Sequence, residues 1–437
     1  MRKNAKHVIR VVLLLGIIGV SLMSCTNKTE GKKGENAPVT ITLGMHVANT
    51  EAQEPVTYAI VQKFMEENPG IVVQIQGNDK DEHVKKMKMA AQTNELPDIF
   101  WMDSSVAPEL SKAGYLLDLN AFLAAYPDVA AAIPDNMKNA SRMDGVQYGL
   151  PYQSLVTGLW YNKALFKKYG VSEPKNGTTY AELLEMVQTF KKNGVTPIAK
   201  GAKDPYSVWA FLIGIERYGY FNRINSILAK KDSFANADFE KYFEKLYELG
   251  QAGAFPENAA TMTYFQAKQD FLAGKSAMFD SGMWDAGELD KSMGTDTGFW
   301  WGPEFSDSSY SQTIKMKVSS APFCVSKAIE KDATKKKAVY TFLAFYYGKQ
   351  AAEISYQGSV IPATDYPVDV NLAEKPAFAA MVAALEEKGW TSPVAQPDLV
   401  LSEAVQAQLY DSMYGAMLGT YTPENALSKI DDVLAQQ

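Results

Sequence analysis

YGLPYQSLVTGLWYNKALF, residues Tyr148 to Phe166, is the stretch where the chain crosses between two halves of the protein. Asp144-Gly145 makes a turn in front of it, and helix-compatible sequence begins near Asn162-Lys163. Pro151 forbids a helix and biases Leu150 towards extended backbone. Gly149 to Leu159 therefore reads as one strand, built from aromatic and β-branched residues. So apolar a strand needs cover on both faces, the setting of a parallel α/β sheet.

Upstream, the pattern alternates. Val39 to Leu43 is a strand, followed by the loop Gly44 to Thr50. A helix opens at Pro55 and stops at Asn68-Pro69-Gly70. Ile71 to Gln76 is a second strand and Glu82 to Gln92 a second helix. Leu96-Pro97-Asp98 turns the chain into a third strand, Ile99 to Met102. This β-α-β-α-β order predicts a parallel, doubly wound sheet. Asp103 lies at the carboxyl end of the third strand, where open α/β sheets bind ligands, though it could equally cap a helix at Ser104-Ser105.

Downstream, Thr179 and Glu182 have capping-box spacing ahead of an amphipathic helix. Ser207 to Tyr220 is helical, with Trp209 near its start. In FQAKQDFLAGKSAMFDSGMW, Phe265 to Trp284, a helix ends at Gly274 and a short strand, Ser276 to Phe279, runs into a turn at Asp280-Ser281-Gly282. Gly282 suits positive φ or close backbone approach. Trp284, held just after that turn, can present its face to a ligand.

The amino terminus is of another kind. Arg2, Lys3, Lys6 and Arg10 precede the apolar run Val11 to Leu22, which is too short to span a bilayer as a mature helix and reads as an export signal. Leu22-Met23-Ser24-Cys25 then resembles the lipobox of bacterial lipoproteins, in which the cysteine carries the lipid. The alternative is an ordinary secretory leader with a chance cysteine. Several acyl chains on Cys25 would hold the protein stably at a membrane. Thr26 to Ala37 is polar and lysine-rich, a flexible tether. About 400 residues remain, enough for two lobes.

Composition is that of a globular protein, 46% hydrophobic and 21% charged. Removing the leader's four basic residues from a net charge of −7 leaves about −11. An acidic chain without a basic stripe is poorly suited to nucleic acid. With Cys25 committed to lipid, Cys324 is expected to be an inert buried thiol.

The segments LPDIFWMD (Leu96 to Asp103), GYLLDLN (Gly114 to Asn120), YGLPYQSLVTGLWYNKALFKKYG (Tyr148 to Gly170), the helix start at Thr179 and FLAGKSAMFDSGMW (Phe271 to Trp284) together resemble the carbohydrate-uptake type of extracellular solute-binding proteins. That family includes maltose-binding protein and feeds ABC importers. The resemblance covers nearly the whole mature chain in order. It implies an α/β, two-lobed periplasmic-binding-protein fold (type II), with a hinge of crossing strands and a ligand cleft between the lobes. It divides the chain into residues 1–24 as signal, 25–37 as lipidated cysteine and tether, 38–152 with 321–363 as lobe 1, and 153–320 with 364–437 as lobe 2. It further implies a monomer outside the cytoplasm, held to the membrane by its lipid, that binds a mono- or oligosaccharide and delivers it to permease subunits.

By position in these motifs, the resemblance implies ligand contacts from Asp103 and Trp101 on lobe 1, Tyr152 at the crossing, and Trp209 and Trp284 on lobe 2. His46 and Asn49 in the loop after the first strand, Asp280 and Trp390 complete the candidate set. A pyranose offers an apolar face and a hydroxyl rim, which aromatic rings and a few polar acceptors suit. Trp160, Trp300 and Trp301 read as core or wall residues. A secreted glycoside hydrolase is the competing class, with Asp103 and Asp280 as its imagined carboxylate pair, but no proton donor stands in an obviously apolar setting. A binding protein for an anion or metal ion is a third. His46 and His83 are isolated from each other in sequence and from Cys324, so no zinc-ligand spacing appears, and no phosphate-loop or dinucleotide pattern implies a cofactor.

Overall fold

Alternation of short apolar strands with helices makes the first sheet. The computed structural model describes Pro38 to Gln437 apart from Val370. The leader, Cys25 and the tether lie outside the described residues. β1 (Val39–Met45), β2 (Ile71–Gly77) and β3 (Ile99–Trp101) are joined by the helices Pro55–Glu67 and Lys80–Thr93, and β1 pairs in parallel with both neighbours. Pro55 occupies the first turn of its helix, where a missing N–H costs nothing.

Asp144 and Gly145, both with positive φ, close a hairpin between β4 (Arg142–Met143) and β5 (Val146–Gln147). The chain then enters the decisive stretch. It is not one strand: β6 (Leu150–Pro151) and β7 (Ser154–Asn162) are separated by a bend at Tyr152-Gln153. Nor is its pairing parallel. β6 pairs antiparallel with β12 (Pro322–Val325), which lies beside β3, so the first sheet runs β2-β1-β3-β12-β6. β7 is the centre of the second sheet. The expectation of burial on both faces holds for most of β7, but an antiparallel sheet covered by helices meets it as well as a parallel one.

The second sheet adds β8 (Thr196–Ala199), β9 (Ser276–Gly282), β10 (Thr297–Trp300) and β11 (Lys317–Ser319) in the order β10-β7-β9-β8, with β11 also on β7. Asn162 caps the helix Lys163–Tyr169 that follows β7, and the Thr179/Glu182 capping box opens Tyr180–Lys192 as its spacing predicts. The supposed turn Asp280-Ser281-Gly282 is instead the end of β9, extended and paired with β7. Gly282 has φ −134°, so its small size serves close approach: a Cβ there would run into the Trp284 indole and the Val156 carbonyl. The helix expected from Ser207 to Tyr220 is two, Trp209–Glu216 and Tyr220–Leu228, broken at Gly219 with φ +83°.

Two lobes result, each with its own buried cluster, and three segments cross between them. Tyr152-Gln153 links β6 to β7, and Ser320-Ala321 links β11 back to β12. The third is Ile361–Pro362, whose carbonyls accept from the Ser154 N–H and hydroxyl. The hydroxyls of Tyr346 and Tyr347 donate to the Tyr152 and Pro151 carbonyls, pinning the first crossing to the first lobe. The carboxy-terminal helices Glu403–Met417 and Pro423–Ala435 pack into the second core through Leu409, Met413, Leu427 and Ile430. Trp300 is buried in that core, Trp160 and Trp301 in a second cluster of the same lobe, and Cys324 is buried in the first lobe, where burial raises its thiol well above the ordinary range.

Candidate functional site

The carboxyl ends of β1 and β3 carry the first-lobe side of the cleft. His46, one residue past β1, stacks on Trp101 at the end of β3, ring centroids 4.2 Å apart and planes 19° from parallel. Tyr152 meets the His46 ring edge-on at 5.9 Å. Burial, with His83 and Lys80 nearby, depresses the His46 imidazole to about 3, so the ring is neutral. Beside it, Glu54 accepts a hydrogen bond of 2.9 Å from the Tyr152 hydroxyl and lies 3.8 Å from His46 Nε2. Burial raises the Glu54 carboxyl to about 7, and the Tyr152 bond only partly opposes this.

Asp103 does not cap the helix that follows, Ala107–Lys112, whose N-cap is Val106 with no side-chain bond. The Asp103 Oδ1 accepts from the Ser105 N–H and hydroxyl, a local turn bond, while its Oδ2 faces the Lys80 ammonium at 3.2 Å. Burial alone would raise its carboxyl, but Lys80 and Ser105 more than offset that and hold it below the usual range. Asn49 is exposed and caps the short helix Thr50–Gln53 by accepting from the Ala52 N–H.

On the second lobe an aromatic shelf forms. Trp209, half-buried, begins its helix, and Trp284 stands on the single 3-10 turn Met283–Asp285 that follows β9. Their centroids are 4.8 Å apart at 67°, and Tyr206 extends the row, 5.9 Å from Trp209. Trp284 is 38% exposed and Tyr206 42%. The Trp284 Nε1–H donates to the Tyr264 hydroxyl at 2.9 Å, which fixes the indole. Tyr264 in turn bonds Ser281 and Asp285, and Asp285 takes Lys268 at 3.2 Å.

Asp280 is not on the cleft surface. It is 1% exposed, ion-paired with the buried Lys200, and its Oδ1 accepts from the Ala210 N–H at the start of the Trp209 helix. It anchors the shelf from below. With Lys200 holding it and Lys80 holding Asp103, the carboxylate pair imagined for a hydrolase is two separate ion pairs. Trp390 is also buried, its ring 5.7 Å from the Arg217 guanidinium, whose three nitrogens each donate to a carbonyl, of Gln312, Pro303 and Ile314.

A cavity of about 460 Å³ opens between the lobes. Ser104, Asn136 and Asn139 line it from the first lobe, Ser319 and Ser320 from a crossing, and Val394 and Val400 from the second lobe. None of His46, Trp101, Tyr152, Trp209 and Trp284 is among its lining residues. Sequence reasoning missed the residues that do line it, together with Tyr206, Lys80 and Glu54. An aromatic in the turn Asp204-Pro205-Tyr206 just before Trp209 was a usable signal. For Asn136 and Ser319 there was none, since neutral polar residues in loops carry no pattern.

A family model described as bacterial extracellular solute-binding protein matches residues 48–353. Among curated relatives, the multiple sugar-binding protein of Streptococcus mutans is 24% identical over 62% of this chain and 64% of its own length. The sn-glycerol-3-phosphate-binding periplasmic protein of Brucella abortus is 27% identical over 43% of this chain and 41% of its own. The chain thus spans less than two thirds of the length of these relatives. A structure solved in a study of xylan utilization by the thermophilic bacterium Caldanaerobius polysaccharolyticus superposes with a TM-score of 0.77 at 25% identity, covering 90% of this chain and 99% of that one.

Proposed function

The chain belongs to the bacterial extracellular solute-binding protein family, and on that premise we propose that it captures a neutral saccharide between its lobes for an ABC importer. The observation that carries this reading is the partly exposed shelf of Tyr206, Trp209 and Trp284; Ser104, Asn136 and Asn139 line a cavity between the lobes. Indole and phenol faces match the apolar face of a sugar ring, and serine and asparagine match its hydroxyl rim. A phosphate ester would need a cation free to receive it. Lys80, the cation beside His46 and Trp101, is already held by Asp103, which favours the neutral ligand.

In this reading Asp103, Trp101, His46, Asn49 and Tyr152 serve the first-lobe face, and Trp209 and Trp284 the second. Asp280 supports the shelf without touching ligand, and Trp390 shapes the wall. Closure turns on the three crossings, whose few residues absorb the rotation. Cys25 carries the lipid that keeps the protein at the outer face of the membrane, and the permease receives the sugar from the closed form. The protein binds without cleaving. A thermal-shift screen of the mature domain with xylo-, chito- and malto-oligosaccharides and sn-glycerol 3-phosphate tests this, because a ligand of the folded state raises its melting point by mass action. Stabilisation by a saccharide is expected; stabilisation by glycerol phosphate alone would replace the sugar reading.

A further inference from the structure

Among the described residues, Glu54 is a carboxyl group whose one ion-pair partner is a neutral histidine, His46. It sits at the joint between the helices Thr50–Gln53 and Pro55–Glu67, beside the loop that follows β1. The groups that face it come from every element packed around it. His46 comes from the loop after β1, Thr57 from its own helix, Tyr152 from the crossing, and Tyr346 from the helix Ala333–Tyr346. None of these is charged near neutral pH. His46 is neutral because it is buried, and its Nδ1 is itself buried with no partner among the described residues. The nearest cation on this face, Lys80, is taken by Asp103. The Tyr152 hydroxyl donates to Glu54, so the bond between Tyr152 and Thr57 has Thr57 as its donor. The Glu54 side chain keeps 22% of its surface exposed, next to the stacked His46 and Trp101 rings.

We propose that Glu54 is a proton-linked ligand contact: capture of a saccharide against the His46–Trp101 face places a proton on Glu54, so binding strengthens as pH falls. The proposal rests on the saccharide-binding reading above. Covering the last exposed face of a carboxylate that has no counter-ion raises the cost of its charge, and the neutral acid avoids that cost. The neutral acid also gains a donor, and a sugar hydroxyl oxygen can accept its proton while the Tyr152 bond is kept. The free-state carboxyl lies near 7, and the bound state must lie higher. Affinity is therefore greatest below the free-state value, falls as pH rises through it, and levels off above the bound-state value. Each unit of difference is about tenfold in affinity.

The test has a ligand arm and a ligand-free arm. Titration calorimetry of the mature chain with xylotriose, chitotriose and maltotriose at pH 7, in phosphate and in Tris, is expected to give enthalpies that differ with the buffer for whichever sugar binds. Affinity is expected to fall at least about threefold from pH 6 to pH 8.5. Glu54→Gln, which keeps the shape and fixes the neutral state, removes both effects. Buffer-independent enthalpy in the wild type, or proton uptake that survives in Glu54→Gln, overturns the proposal. Without ligand, urea unfolding from pH 4.5 to 7.5 is compared between the two proteins. A folded-state value above the unfolded one means the wild type loses stability relative to Glu54→Gln as pH rises to about 7, and then holds level. A constant difference would show that Glu54 has an ordinary carboxyl and sink the idea whatever the ligand is. No sugar binding together with the expected pH-dependent loss of stability would overturn the ligand contact and the saccharide reading, and leave only the raised Glu54 carboxyl.

Discussion

The indole of Trp209 stands edge-to-face against that of Trp284, centroids 4.8 Å apart, and the Trp284 N–H is tied to Tyr264. An aromatic surface held this way is set before any ligand arrives, so little side-chain freedom is lost on binding.

Trp284→Ala should separate binding from folding. Removing a fully buried tryptophan costs about 3 to 5 kcal/mol, but an indole 38% exposed leaves a smaller hole, and less than about 2 kcal/mol is expected. Affinity for the bound saccharide should fall by about 2 kcal/mol, the scale of an interface anchor. Denaturant midpoints and calorimetric affinities on the same variant decide. Large destabilisation with unchanged affinity would place Trp284 outside the site.

Asp280→Ala tests the opposite assignment. It leaves the Lys200 ammonium buried without its partner, which costs about 3 to 5 kcal/mol. Replacing both residues by apolar ones, Lys200→Met with Asp280→Leu, should recover most of that. If Asp280→Ala folds with near-normal stability and loses ligand, Asp280 is a contact after all.

The lobes also meet at the rim. Lys88, on the helix Lys80–Thr93, reaches Glu403, at the start of the helix Glu403–Met417, with N–O distance 3.3 Å. Both side chains are well exposed, so the pair is worth about 0.2 to 1 kcal/mol and is screened by salt. Glu403→Gln should weaken ligand binding by no more than about fivefold and flatten its salt dependence. Affinity measured at low and high salt checks this, and a salt response unchanged in the variant would remove the pair from closure.

Anchoring is separable from binding. Cys25→Ala should abolish acylation and membrane retention while the domain from Pro38 keeps its unfolding midpoint. Fractionation of labelled cells reads the outcome, and an acylated, membrane-bound variant would end the lipobox assignment.

Binding without turnover gives a last expectation. Prolonged incubation with a stabilising oligosaccharide should return it intact by mass spectrometry, since Asp103 and Asp280 are each committed to a lysine. Shortened product would revive the hydrolase.

Much of this architecture was legible in local sequence because its signals are short-range. Pro55, Asn162 and the Thr179/Glu182 box set helix starts through local interactions that span at most a turn or two, and Asp144-Gly145 sets a hairpin by backbone preference. The order of strands and helices in the first lobe followed. What tertiary structure alone decided was pairing and electrostatic partnership. Whether β7 would lie parallel or antiparallel depends on β9 and β10, more than 100 residues away, and nothing in its apolar run distinguishes the two. Asp280 and Asp103 are both aspartates at the ends of apolar strands. One is a buried support and the other a partly exposed cleft residue, because Lys200 and Lys80 arrive from elsewhere in the chain. Glu54 had the look of an ordinary acidic residue before a proline, and only the neutral wall of His46, Thr57, Tyr152 and Tyr346 makes its charge costly.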